Sequence, residues 1–78
     1  MPQFFIDIAD GELNVLDESG MPLPDAEAAR IEAIGVLALL AKDKLPDSNQ
    51  HDFKASVRDE GGKEVFRALL SLRAEWVE

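Results

Sequence analysis

A chain of 78 residues with 16 Asp and Glu against 8 Lys and Arg, a formal net charge of -8 and no cysteine is already bounded in what it can be. Its length allows one domain, expected to span residues 1–78, and a chain this short buries only about 60% of the surface it exposes when unfolded, so its core is small and self-association would strengthen it. The charge balance repels phosphate backbones and disfavours nucleic acid, while the missing thiols exclude a disulfide framework, thiolate zinc sites and thiol catalysis.

The amino-terminal run MPQFFID lacks the basic and long apolar segments of a secretory signal. The longest uncharged stretch, residues 33–41, has nine residues, against the roughly 20 needed to cross a bilayer. The expectation is a soluble, cytoplasmic protein with no membrane partner.

In chain order, Phe4, Ile6 and Ile8 alternate with Phe5, Asp7 and Ala9, which predicts a strand. Asp10-Gly11 supplies turn residues, and residues 12–16 alternate again, so a hairpin is expected with Leu13 and Val15 on the face of Phe4, Ile6 and Ile8. Phe5 and Leu16 point away from that face. Asp17-Glu18-Ser19-Gly20 reads as a turn, and the prolines of Met21-Pro22-Leu23-Pro24 keep the chain extended.

A helix should follow, with Asp25 as its N-cap and Glu27 complementing the dipole. It runs to about Lys44 and is stopped by Leu45-Pro46-Asp47. At 100° per residue, Ala26, Ala29, Ala33, Val36, Leu37 and Leu40 form the stripe expected to cover a sheet. Ile31, Ile34, Ala38 and Leu45 fall on a flank about 120° away, which one sheet leaves uncovered.

Ser48-Asn49-Gln50 reads as a polar loop, and residues 52–59 as a half-buried antiparallel strand with Phe53, Ala55 and Val57 inward. Asp59-Glu60-Gly61-Gly62 is a hairpin turn. The last run is ambiguous. With period two, Phe66, Ala68, Leu70, Leu72, Ala74 and Trp76 share a face, whereas with period 3.6 Val65, Leu69, Leu72 and Trp76 do. Helix propensity is high here, but the preceding strand needs a partner and the glycine pair lies where a hairpin turns, so a strand is expected.

Phe4-Phe5-Ile6-Asp7-Ile8, Asp17-Glu18 with Gly20, Leu23-Pro24-Asp25 followed by Ala28-Ala29-Arg30, and Val57-Arg58-Asp59-Glu60 with Gly62 occur here in a specific order. In this, nearly the whole chain resembles a family of short, uncharacterised bacterial proteins classed as a domain of unknown function. That resemblance implies a four-stranded sheet with one helix, and no activity. The stretch from Asp10 to about Leu40 is more loosely similar to the hairpin-helix core of small bacterial antitoxins with a partial ribonuclease-H-like fold, although their Pro-Gly-Cys type motif is absent.

Candidate chemistry is sparse. His51 is the single histidine, with Asp47, Ser48 and Asp52 near it in sequence. Nearness in a loop is not triad geometry, so it reads as a surface loop residue. Asp7, Asp10, Asp17 and Glu18 would have to converge at one end of the hairpin to hold Mg²⁺ or Ca²⁺, and turn formation explains them more simply. Gly61-Gly62 lacks the surroundings of a phosphate loop. Lys54, Arg58, Lys63, Arg67 and Arg73 gather in the second hairpin while most acids lie in the first half, an asymmetry that can orient self-association but usually marks a solvated face. Trp76 either finishes the core, which its place in the alternation favours, or anchors an interface.

The expected fold is α+β: a four-stranded antiparallel sheet in chain order ββαββ with one long helix packed on one face. The expected function is a non-enzymatic protein-binding module without cofactor or metal. It would form a homodimer first, with Phe5, Leu16, Ile31, Ile34, Ala38 and Trp76 as interface residues. The alternatives are an antitoxin-like inhibitor of a basic partner and a metal-dependent enzyme built on carboxylates.

Overall fold

The computed structural model of the protein describes residues 1–11, 13–44 and 49–77. Strand β1 (Gln3–Asp10) leads into β2 (Leu13–Val15) and β3 (Met21–Pro22), then helix α1 (Ala26–Lys44), β4 (Gln50–Arg58) and β5 (Glu64–Arg73). All pairings are antiparallel, in the order β2-β1-β4-β5, with β3 also on β1. The α+β architecture follows the sequence reading, with one addition: the proline-containing segment around Met21 pairs with β1 as a fifth, very short strand.

Turn chemistry sets the connections. Gly11 takes φ 62° after Asp10, as the first hairpin needs. In the second hairpin Gly62 takes φ 84°, and the Asp59 carboxylate accepts the N–H groups of Gly61 and Lys63, each at 3.0 Å. Asp25 caps α1 by accepting the Ala28 N–H at 2.9 Å, satisfying one of the first-turn donors. The expected stop at residues 45–47 lies outside the described residues, as does the place of Leu45 on the helix flank.

The core is one layer between α1 and the sheet: Phe4, Ala29, Ala33, Leu37, Phe53, Ala55 and Val57 are buried, with Ile6, Ile8, Leu23, Leu40, Ala41, Phe66, Ala68 and Leu70 packed partly buried around them. Small residues at Ala29 and Ala33 let the helix sit close over β4, where Phe53 and Val57 are fully buried. Residues 64–73 form a strand because β4 offers a ladder from Gln50 to Arg58, and that ladder outweighs local helix propensity.

The structure corrects four expectations about burial. Ala26, at the start of α1, is exposed. Leu13 and Val15 carry the right parity for the core face yet are 56% and 51% exposed, because α1 packs over β4, β5 and β1 and leaves β2 bare. Trp76 does not finish the core: the strand ends at Arg73 and the ring is 93% exposed. Phe5 lies on the far face of the sheet as expected, but is only partly exposed because Gly20 and Arg58 lie against its ring.

Leu37, 4% exposed at the centre of this layer, gives the direct test of the packing. Leu37→Ala should lower unfolding free energy by about 2–5 kcal/mol in a denaturant titration. A loss within experimental noise would show that another face of α1 is buried.

Candidate functional site

The far face of the sheet carries a polar cluster where β1 loses its regular partner. Phe4 pairs with Met21 and Ile8 with Val15, so three residues of β1 (5–7) face five residues of the returning chain (16–20), an excess of two. The ladder must break there, and backbone donors released by the break need acceptors. Carboxylates supply them. Asp17 Oδ2 accepts the Ile6 N–H at 3.1 Å, and Asp17 Oδ1 accepts the N–H groups of Ser19 and Gly20 at 3.1 and 3.0 Å. The Asp17 N–H donates in turn to Asp7 Oδ1 at 2.9 Å.

Arg58 closes the arrangement from β4. It pairs with Phe5 across the β1–β4 ladder and reaches diagonally to Asp7, with Nε 2.6 Å from Oδ2 and Nη2 3.0 Å from Oδ1. The same Nη2 donates to the Asp17 backbone carbonyl at 3.0 Å. The guanidinium carbon stands 5.0 Å from the Phe5 ring centroid, within cation–π range. Gly20 has φ 72°, and a Cβ there would stand 2.8 Å from Phe5 Cε2, so both backbone conformation and space demand glycine.

The hydrogen bond from Arg58 holds the Asp7 carboxyl below its ordinary range, against the opposing effect of burial. Asp17 is lowered chiefly by the Gly20 N–H and further by those of Ile6 and Ser19. Both carboxylates are thus charged and occupied by donors.

A second cluster lies on the helix-side face at the other end of β1. Asp10 accepts Lys44 Nζ at 2.6 Å and also meets His51 Nε2. Lys44, first, and His51, second, hold its carboxyl below the ordinary value. The histidine ring stacks on Phe53 with centroids 4.4 Å apart. His51 is therefore a partly buried residue of β4, not a loop residue, because β4 begins at Gln50 where β5 still offers a partner. Asp47 and Ser48, its expected neighbours, lie outside the described residues.

The four acids weighed above as a metal site do not come together. Asp7 joins Asp17, while Asp10 stands on the opposite face with Lys44 and His51. Glu18 is exposed, and among the described residues no three His, Asp or Glu side chains stand together to hold a metal ion. Sequence reasoning missed Arg58 as the hub; its signal was its place in β4 opposite Phe5, within diagonal reach of an acid of β1.

The residues expected at an interface divide. Ile31, Ile34 and Ala38 are exposed on the outer side of α1, and Leu39, which is 67% exposed, lies on the other flank of the helix. Leu16 is 68% exposed beside the broken strand and Trp76 protrudes beyond β5, whereas Phe5 belongs to the polar cluster.

Two outcomes are expected. Gly20→Ala should destabilise the fold by at least about 1 kcal/mol, since an L side chain at positive φ and a contact with Phe5 add; a neutral result in chemical denaturation would contradict the close approach. For pH, the folded-state values of Asp7 and Asp17 lie below the unfolded ones, so their stabilisation is present above about pH 4 and is lost as pH falls through the folded values. The thermal midpoint should therefore hold from about pH 8 to 5 and fall below about pH 4, and the gap between wild type and Arg58→Met should narrow on acidification. A gap independent of pH would show that Arg58 acts through packing alone.

The family described as Domain of unknown function (DUF6894) matches residues 3–71. No curated protein and no solved structure was found to match the chain.

Proposed function

The chain belongs to the DUF6894 family, whose description carries no activity, and from that premise we propose that it is a small acidic protein-binding module that associates first with a second copy of itself. The observation that carries this reading is the apolar surface outside the core: Ile31, Ile34 and Leu39 on α1 and Trp76 after β5 are 59%, 43%, 67% and 93% exposed. Ile31 and Ile34 share one flank of α1 by helical spacing, and neighbouring apolar side chains left in water favour a partner, while tryptophan is enriched where protein surfaces meet.

A non-enzymatic role is supported by the state of the carboxylates. Asp7 and Asp17 are engaged by Arg58 and backbone donors, and Asp10 by Lys44 and His51. The net charge of -8 favours, as a second reading, capture of a basic protein in the manner of an inhibitor. Residence in the cytoplasm goes with the proposal and is supported by the absence of cysteine; no helix among the described residues is long and apolar enough to cross a membrane.

Light scattering at tens of micromolar tests the self-association. The expected mass is twice 8.6 kDa, with added salt tightening the dimer slightly because it screens like-charged chains. A mass of 8.6 kDa at every concentration and salt would overturn the reading.

A further inference from the structure

We propose that the second copy docks on the outer edge of β5, antiparallel and about a twofold axis at Leu69, so that two sheets become one. The inference rests on the self-association reading and adds to it the surface and the register.

The two edges of the sheet differ. On the β1 side the edge is broken into β2, three residues, and β3, two residues ending in Pro22, with the register slip between them. Short strands, proline and an interruption are the devices by which sheet edges avoid pairing. Strand β5 has ten residues, EVFRALLSLR, without proline or glycine. Among the described residues no strand pairs its outer side, so a row of backbone donors and acceptors faces outward. Its guards sit towards its ends and at Arg67, which is paired with Glu64, beside a register shift at Val65, while Leu69 at its middle is 63% exposed.

Charge and overlap together select the register, since a twofold nearer either end of β5 pairs fewer of its residues. Residues directly opposite across an antiparallel pair destabilise it when like-charged. A twofold at Leu70 sets Arg67 against Arg73 of the second copy, and one at Ala68 sets Arg73 against Lys63. A twofold at Leu69 sets Arg67 against Ser71 and brings Arg73 to Val65, next to Glu64. On the helix-side face it then joins Phe66 with Leu72 and Ala68 with Leu70, all four only partly buried within one chain.

The helix flank fits the same arrangement. β3 and β4 both run antiparallel to β1, so they are parallel to each other with α1 crossing between them. Such crossovers are right-handed in about 98% of sheets. That hand turns the flank bearing Ile34 and Ala38 towards the β5 side, where the helix of the second copy would lie.

The test uses single cysteines in a chain that has none. Under a mild thiol oxidant such as diamide, Leu69→Cys places two thiols across the twofold, where facing Cβ atoms are about 4.5–5.5 Å apart. Leu13→Cys, on the broken edge and similarly exposed, is the control. At ten micromolar, Leu69→Cys should link at least about tenfold faster than Leu13→Cys, since pairing raises the local thiol concentration to millimolar. Equal rates together with a dimer mass in light scattering would overturn the β5 edge while leaving self-association standing. A monomer mass at every concentration would overturn both.

Discussion

A guanidinium and two carboxylates replace a missing stretch of β-ladder in this protein, and the rest of the sheet depends on that substitution. The returning chain opposite β1 carries two residues too many. Without other acceptors, the Ile6 N–H and the turn amides of Ser19 and Gly20 would lose their partners as the loop folds against the sheet. Asp17 takes all three, Asp7 takes the Asp17 N–H, and Arg58 neutralises Asp7 while binding the Asp17 carbonyl. Hydrogen bonds to ionised groups are among the stronger ones available to a fold, which suits a domain whose buried apolar layer is so thin. Phe5, beneath Arg58 and Gly20, makes the cluster part of the packing as well as of the hydrogen-bond network.

This local repair has a consequence for the whole molecule. A strand interrupted in its middle cannot template another chain, so the edge beside β1 is closed to pairing, whereas β5 stays long, its pairing with β4 shifting register only at its first end, where Val65 is the extra residue between the partners of Arg58 and Val57. At the opposite end Asp10 ties the last turn of α1, through Lys44, to the start of β4, through His51. The helix is thus fixed over β4 and its outer residues Ile31, Ile34 and Leu39 are held in solvent.

Much of this is legible in the residues. Alternation in residues 4–9 and 53–57, the Asp25 cap and the glycine turns each carry a local physical signal, and the structure follows them. The final strand was legible only through its neighbour, since its own composition favours a helix and the ladder with β4 decides. What could not be read was long-range. Leu13 and Val15 have core parity, but whether a helix reaches over them depends on where α1 comes to rest. Arg58 and Asp7 lie 51 residues apart, and nothing local marks Asp17 as a surrogate backbone acceptor rather than an ordinary turn residue. His51 gained its neighbours because β4 started earlier than its alternation suggests, and Trp76 lost its place in the core because β5 stopped sooner.

The central claim is that the broken edge is held shut by charge, and residue-resolved hydrogen exchange at neutral pH tests it most directly. The amides of Ile6, Asp17 and Gly20 all donate to carboxylates. They should exchange as slowly as one another and well below the unfolded-chain rate. In Arg58→Met they should speed up together, while the amides of the β4–β5 ladder keep their protection. Exchange of these three amides at unfolded-chain rates in the wild type, or protection unchanged by Arg58→Met, would contradict the account.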